Sequence, residues 1–197
     1  MNEVQPQQAY QVRFDWGTAG FQALSAGADV VVIADALPPT TTNGAHFAGA
    51  AGAAGAVGGA TDTQPQHIIL ANLNNRTAVA DWVLARQAEK GARFSVAVVA
   101  AGERRRDGSL RFAVEDLFVA GAVIDSLSTL GIDHCSPEAA AASAGFVGLK
   151  QAIRHLVSAS ETGLALAAIG RQDEIRAASQ LDSSSEIALT GEFHFLA

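Results

Sequence analysis

The sequence predicts an α/β fold, a three-layer α/β/α arrangement around a largely parallel or mixed sheet. Three observations predict it. The segments ADVVVIADAL, HIILANL and ARFSVAVVAAGE are short apolar runs without alternation, as expected of strands buried on both faces. Helix-patterned segments separate or follow these runs, so strands and helices alternate along the chain. The 197 residues are 49% hydrophobic and 17% charged, enough to build a core and too weakly charged for a disordered chain. The expected unit is a single domain over 1–197, or two lobes of roughly 1–65 and 66–197.

Taken in order, residues 1–10 form a polar arm that leads into a first strand, QVRFDWG, ended by Gly17. TAGFQALSAG is a short helix. The most apolar run, Val30 to Ile33, is the second strand, with Asp35 near its carboxyl end. Pro38 and Pro39 then bar both strand pairing and helix continuation. Alanine favours and glycine opposes a helix over about residues 46–56. TDTQPQ is a linker before the strand HIILANL. The helix NNRTAVADWVLARQAEKG crowds Val79, Trp82 and Val83 on one side, with Asn74 or Asn75 as cap and Gly91 as terminator. After the third buried strand, ERRRDGSL is a loop turning at Asp107-Gly108. AVEDLFVAGAVIDSLSTLG is a helix. PEAAAASAGFVGLKQAIRHLVSAS is one helix or two, and RQDEIRAASQL is the last. EIALTGEFHFL reads as one or two short strands.

Composition excludes several function classes. Twenty acidic against 13 basic residues give a net charge of -7, which disfavours a nucleic-acid footprint. No run approaches a membrane span. A single cysteine, Cys135, and a polar N-terminus point to a reducing, cytoplasmic setting without a secretory signal. The five histidines lack metal-ligand spacing, and there is no phosphate loop, dinucleotide fingerprint or nucleophile elbow.

Ligands of open α/β sheets bind outside the carboxyl ends of the strands. That rule selects the loops at 35–44, 72–77 and 102–116. They carry Asp35, Thr40, Thr41, Asn43 and Gly44, then Asn75 and Arg76, then Arg104, Glu115 and Asp116. Carboxylates, hydroxyls, amides and arginines together suit a phosphate with a hard divalent cation such as Mg²⁺. Each has a plainer reading. Asp35 can be a turn aspartate and Asn75 a helix cap. Glu115 and Asp116 suit a first helical turn, and the arginines suit a solvated loop. Arg76 in a first helical turn opposes the helix dipole, which hints at an anionic partner. Adjacent helix positions point about 100° apart, so Glu115 and Asp116 do not easily face one ion.

Several segments resemble the 2-phosphosulfolactate phosphatase family, magnesium-dependent hydrolases associated with coenzyme M biosynthesis, and look most like its actinobacterial branch. They are RFDWGTAGFQAL, DVVVIADAL, NNRTAVADWVL, VAVVAAGERRRDGSLRFAVEDLFVAGAVIDSL, SPEAAAA and GRQDEIRAASQLDSS. The resemblance implies that Asp35 is the family's aspartate after the first apolar strand. It sets Thr40 and Thr41 on a hydroxyl pair, Asn75 on an asparagine before the middle helix, and Glu115 and Asp116 on a Glu-Asp pair. It implies a Mg²⁺-dependent phosphatase acting on a small phosphorylated 2-hydroxy acid. On that expectation Asp35, Glu115 and Asp116 are catalytic and hold the metal. Thr40, Thr41, Asn43, Gly44, Asn75, Arg76 and Arg104 bind phosphate. A homodimer is the expectation for a cytosolic enzyme. The alternative is a catalytically silent, shortened relative serving as a binding or structural subunit. Pro38 stands where many members carry arginine, and Asn43-Gly44 follows Asp35 almost at once.

Overall fold

The structure, a computed structural model, describes residues 7–37, 65 and 67–190. Four parallel strands, β1 (Val12–Trp16), β2 (Val30–Ala34), β3 (His67–Ala71) and β4 (Val96–Ala100), lie in the order β1-β4-β2-β3. A hairpin of β5 (Glu103–Arg104) and β6 (Leu110–Arg111) follows β4. A short strand, β7 (Ala188–Thr190), joins antiparallel to β3 and makes the sheet mixed.

The uninterrupted apolar runs are explained by burial on both faces. In register, Val30, Val32 and Ala34 pair with Val96, Val98 and Ala100. These face a core shared with Val79 and Val83 of α2 (Arg76–Lys90), Phe118 and Ile124 of α3 (Val114–Thr129) and Phe146 of α4 (Pro137–Leu149). The intervening Val31, Ile33, Ala97 and Val99 face Leu24 and Phe21 of α1 (Gly17–Ser25). Full burial of each such valine, leucine or phenylalanine stabilises by about 1.5–3 kcal/mol. The chain finishes this layer with α5 (Ile153–Ala159), α6 (Glu161–Ala168) and α7 (Gln172–Ala178). α3 and α4 approach so closely that a Cβ on Gly121 would lie 2.2 Å from the Ala142 carbonyl oxygen.

The long alanine-rich segment is broken into α4, a 3₁₀ turn (Lys150–Ala152) and α5, so the two-helix reading holds. α6 is not expected from the sequence. Gly163 weakens its propensity, yet the Ser160 hydroxyl accepts from the Gly163 N–H and starts the helix. The expected loop at 103–110 is a hairpin whose turn is at Asp107-Gly108. The helix expected over about 46–56 lies outside the described residues. At the edge strand β1, the Gln7 side-chain amide donates to the Phe14 carbonyl (2.9 Å) and accepts from the Phe14 N–H (3.0 Å), as a neighbouring strand would.

Candidate active site

Because β1 to β4 run parallel, their carboxyl ends share one rim, where Asp35 follows β2, Gly102 follows β4 and Asn72 follows β3. The first turn of α3 carries Glu115 and Asp116 to the same place. Asp116 is buried and braces the rim. Its Oδ1 accepts from the Ala36 N–H and its Oδ2 from the Gly102 N–H, both at 2.9 Å. Residues 80 positions apart in the chain thus meet directly. Gly102 has φ +65°, and a Cβ there would lie 2.6 Å from Leu110 Cδ1 and 3.1 Å from the Arg111 carbonyl oxygen, so only glycine fits this turn.

The carboxylates perturb one another. Burial pushes the Asp35 carboxyl up to about 8, and the charges of Glu103 and Glu115 add to the rise, opposed by a bond from the Leu37 N–H. Asp116 is held well above the usual carboxylate range by burial and by Asp35 and Glu115, despite its two backbone bonds. Glu115 is 2% exposed, and neither of its buried oxygens accepts a hydrogen bond. Its Oε1 stands 3.5 Å from Arg111 Nη2, and that guanidinium also donates to Thr162 Oγ1 at 2.7 Å.

Two openings flank this rim. One, of about 450 Å³, lies over the ends of β2 and β3 and is lined by Asp35, Leu37, Asn72, Asn74, Asn75 and Glu186 among others. The other, of about 360 Å³, lies between the β5–β6 hairpin and α6, lined by Glu103, Arg104, Arg105, Arg106, Arg111, Glu161, Thr162 and Ala165.

Two expected phosphate ligands are committed elsewhere. Asn75 Nδ2 donates to the carbonyls of Leu70 (3.2 Å) and Glu186 (3.1 Å), and Oδ1 accepts from the Asn72 N–H. Both amide hydrogens are used, so Asn75 ties β3 to the chain before β7 and has no donor left for a ligand. It holds the cap position of α2 without a side-chain cap bond. Arg76 does have an anionic partner, but an internal one. Its Nε and Nη2 donate to Asp182 Oδ2 at 3.1 and 2.8 Å, and Nη1 stands 3.6 Å from Asp125. Asp182 also accepts from the Thr77 N–H and hydroxyl, so it is the true cap of α2. Arg104 lines the hairpin groove. Thr40, Thr41, Asn43 and Gly44 lie outside the described residues. Arg111 was not among the expected site residues, although its spacing four before Glu115 was a readable signal.

The family model for 2-phosphosulpholactate phosphatase matches residues 39–191. The chain belongs to this family. The matched span contains Asn75, Arg76, Arg104, Glu115 and Asp116 and begins just after Asp35. No curated protein matches the chain. Among the described residues no helix is long and apolar enough to cross a membrane.

Proposed function

We propose that the protein is a Mg²⁺-dependent phosphatase that hydrolyses a small phosphorylated 2-hydroxy acid of the 2-phosphosulfolactate type. The observation that carries this reading is Glu115, a buried carboxylate whose two oxygens accept no hydrogen bond, set beside Asp35 and Asp116 at the carboxyl rim of the sheet. A phosphatase family membership gives the reaction class.

The residues fit magnesium. The donors are all carboxylate oxygens, and the mutual repulsion that raises Asp35 and Asp116 is what a cation would relieve. Among the described residues no three acidic, histidine or cysteine side chains form a ready-made cage. Magnesium usually takes only one or two carboxylates from a protein, with water and substrate phosphate completing its shell. Asp35 and Glu115 would hold it, because Asp116 already has both oxygens engaged. When bound, the ion supplies charge neutralisation at the phosphoryl oxygens.

The chain's own residues do the rest. Asp116 fixes the backbone at Ala36 and Gly102, which sets the spacing between the β2 and β4 loops. Arg111 faces Glu115 and keeps that buried carboxylate oriented. Without a cation, Asp35 holds a proton at neutral pH, since burial and its acidic neighbours disfavour its charge. Arg104, at the mouth of the hairpin groove, is placed to attract an anionic substrate.

The test is phosphate release from 2-phosphosulfolactate and phospholactate with Mg²⁺. Activity should vanish with EDTA and return with excess Mg²⁺. Asp35→Asn and Glu115→Gln should each lower kcat/KM at least ~100-fold. A protein that releases no phosphate from either ester in excess Mg²⁺, and whose melting temperature the ion does not move, would instead fit the silent-relative alternative.

A further inference from the structure

We propose that the groove between the β5–β6 hairpin and α6 binds the substrate's second anionic group, a sulfonate, while the phosphoryl group lies at the carboxylate rim; this rests on the phosphatase reading above. The groove brings four arginines, Arg104, Arg105, Arg106 and Arg111, against two glutamates, Glu103 and Glu161. It is a local surplus of positive charge in a protein of net charge -7. Such a surplus concentrates anions at one place on an otherwise repelling surface.

The groove is built rather than merely charged. Its hairpin is closed by bonds from the Arg105 N–H to the Ser109 carbonyl and from the Gly108 N–H to the Arg105 carbonyl, both 2.9 Å. Asp107 Oδ1 accepts from the Ser109 N–H and hydroxyl. Leu110 seats the hairpin against Gly17 and Gly102, each of which has a positive φ. Two of the four guanidinium groups are engaged: Arg105 donates to the Leu110 carbonyl at 2.7 Å, and Arg111 donates to Thr162 Oγ1 at 2.7 Å and stands 3.6 Å from Glu161. Among the described residues, the side chains of Arg104 and Arg106 have no hydrogen-bond or ion-pair partner, so their fork-shaped donors are available to a tetrahedral anion.

The groove also adjoins the proposed reacting centre. Glu103 lines it and acts electrostatically on Asp35. Arg111 lines it and stands 3.5 Å from Glu115. One small molecule can therefore present one anion to the carboxylate rim and another to the arginines. The opening over β2 and β3 cannot take that role, since its described lining contains Asp35 and Glu186 and no basic side chain.

Titration calorimetry at low salt with 3-sulfolactate, and with lactate as the analogue lacking the sulfonate, tests this without turnover. The wild-type protein should bind 3-sulfolactate at least tenfold more tightly than lactate. Arg104→Ser combined with Arg106→Ser should remove that preference, and lysine at both positions should restore part of it. Absence of a preference in the wild-type protein, or a preference that survives in the double serine variant, overturns the proposal. Asp35→Asn separates the two readings, because it should stop phosphate release and keep the 3-sulfolactate preference. Arginine-dependent binding without any phosphate release by the wild-type protein sinks the hydrolase and leaves the groove standing. Phosphate release with arginine-independent binding sinks the groove alone.

Discussion

On the β3 flank of the carboxylate rim, polar side chains are turned inward upon the protein. Asn72 accepts from the N–H groups of Asn74 and Asn75, Asn74 donates to the carbonyls of Ala177 and Gln180, and Asn75 holds Leu70 and Glu186. On the hairpin flank, Arg104, Arg105 and Arg106 are exposed, and two of the three have no partner among the described residues. Both flanks look alike in sequence, as short polar loops after buried strands. The difference teaches that a polar loop at a sheet rim can serve either to fasten the chain or to meet a ligand. Which it does is decided by whether backbone carbonyls from distant segments arrive to occupy its donors.

That contrast can be broken by substitution. Removing a fastening residue should appear in stability. Asn75→Ala deletes one acceptor and two donors at a buried position, strands the Leu70 and Glu186 carbonyls, and should lower unfolding free energy by about 2–3 kcal/mol in urea melts. An intermediate effect is expected from the rim itself. An unfolded aspartate titrates near 3.8 and Asp35 near 8, so folding takes up a proton between those values. The stability this contributes is complete below 3.8 and is lost as pH rises through about 8. The melting temperature of the metal-free protein should therefore fall between pH 6 and pH 9, and Asp35→Asn should flatten that fall. The smallest effect belongs to the groove. Arg106→Ser should change unfolding free energy by less than ~0.5 kcal/mol, since its side chain is exposed and bonds to none of the described residues. A large loss there would place Arg106 among the fastening residues and erase the contrast.

The layers and the rim are legible in the sequence because their causes are local. Val30 to Ile33 lack alternation since both faces of the sheet are covered, and the end of such a strand is where Asp35 had to sit. The meeting of Asp35 with the first turn of α3 follows from parallel strands sharing one rim. What escaped the sequence depends on distant partners. Arg76 in a first helical turn wants an anion, but Asp182 lies 106 residues away in the chain, and no spacing announces it. Asn75 was open to a ligand until Glu186, 111 residues on, took its second donor. The separation of Glu115 and Asp116, by contrast, is set by the sequence alone, because adjacent helix positions point about 100° apart. Their divergence around the helix sends one to the backbone of two loops and leaves the other facing Arg111.

The side chain of Gln7 has a bearing on how the molecule behaves in a crowd. A parallel sheet whose outermost strand is bare offers a template on which a second molecule can add its own strand and begin a fibre. By meeting both the N–H and the carbonyl of Phe14, one amide occupies the hydrogen-bonding pair at the middle of β1. The backbone of His134 and Ser136 meets Val12 on the same edge, so a second molecule finds the hydrogen-bonding groups at two alternate positions of β1 already taken.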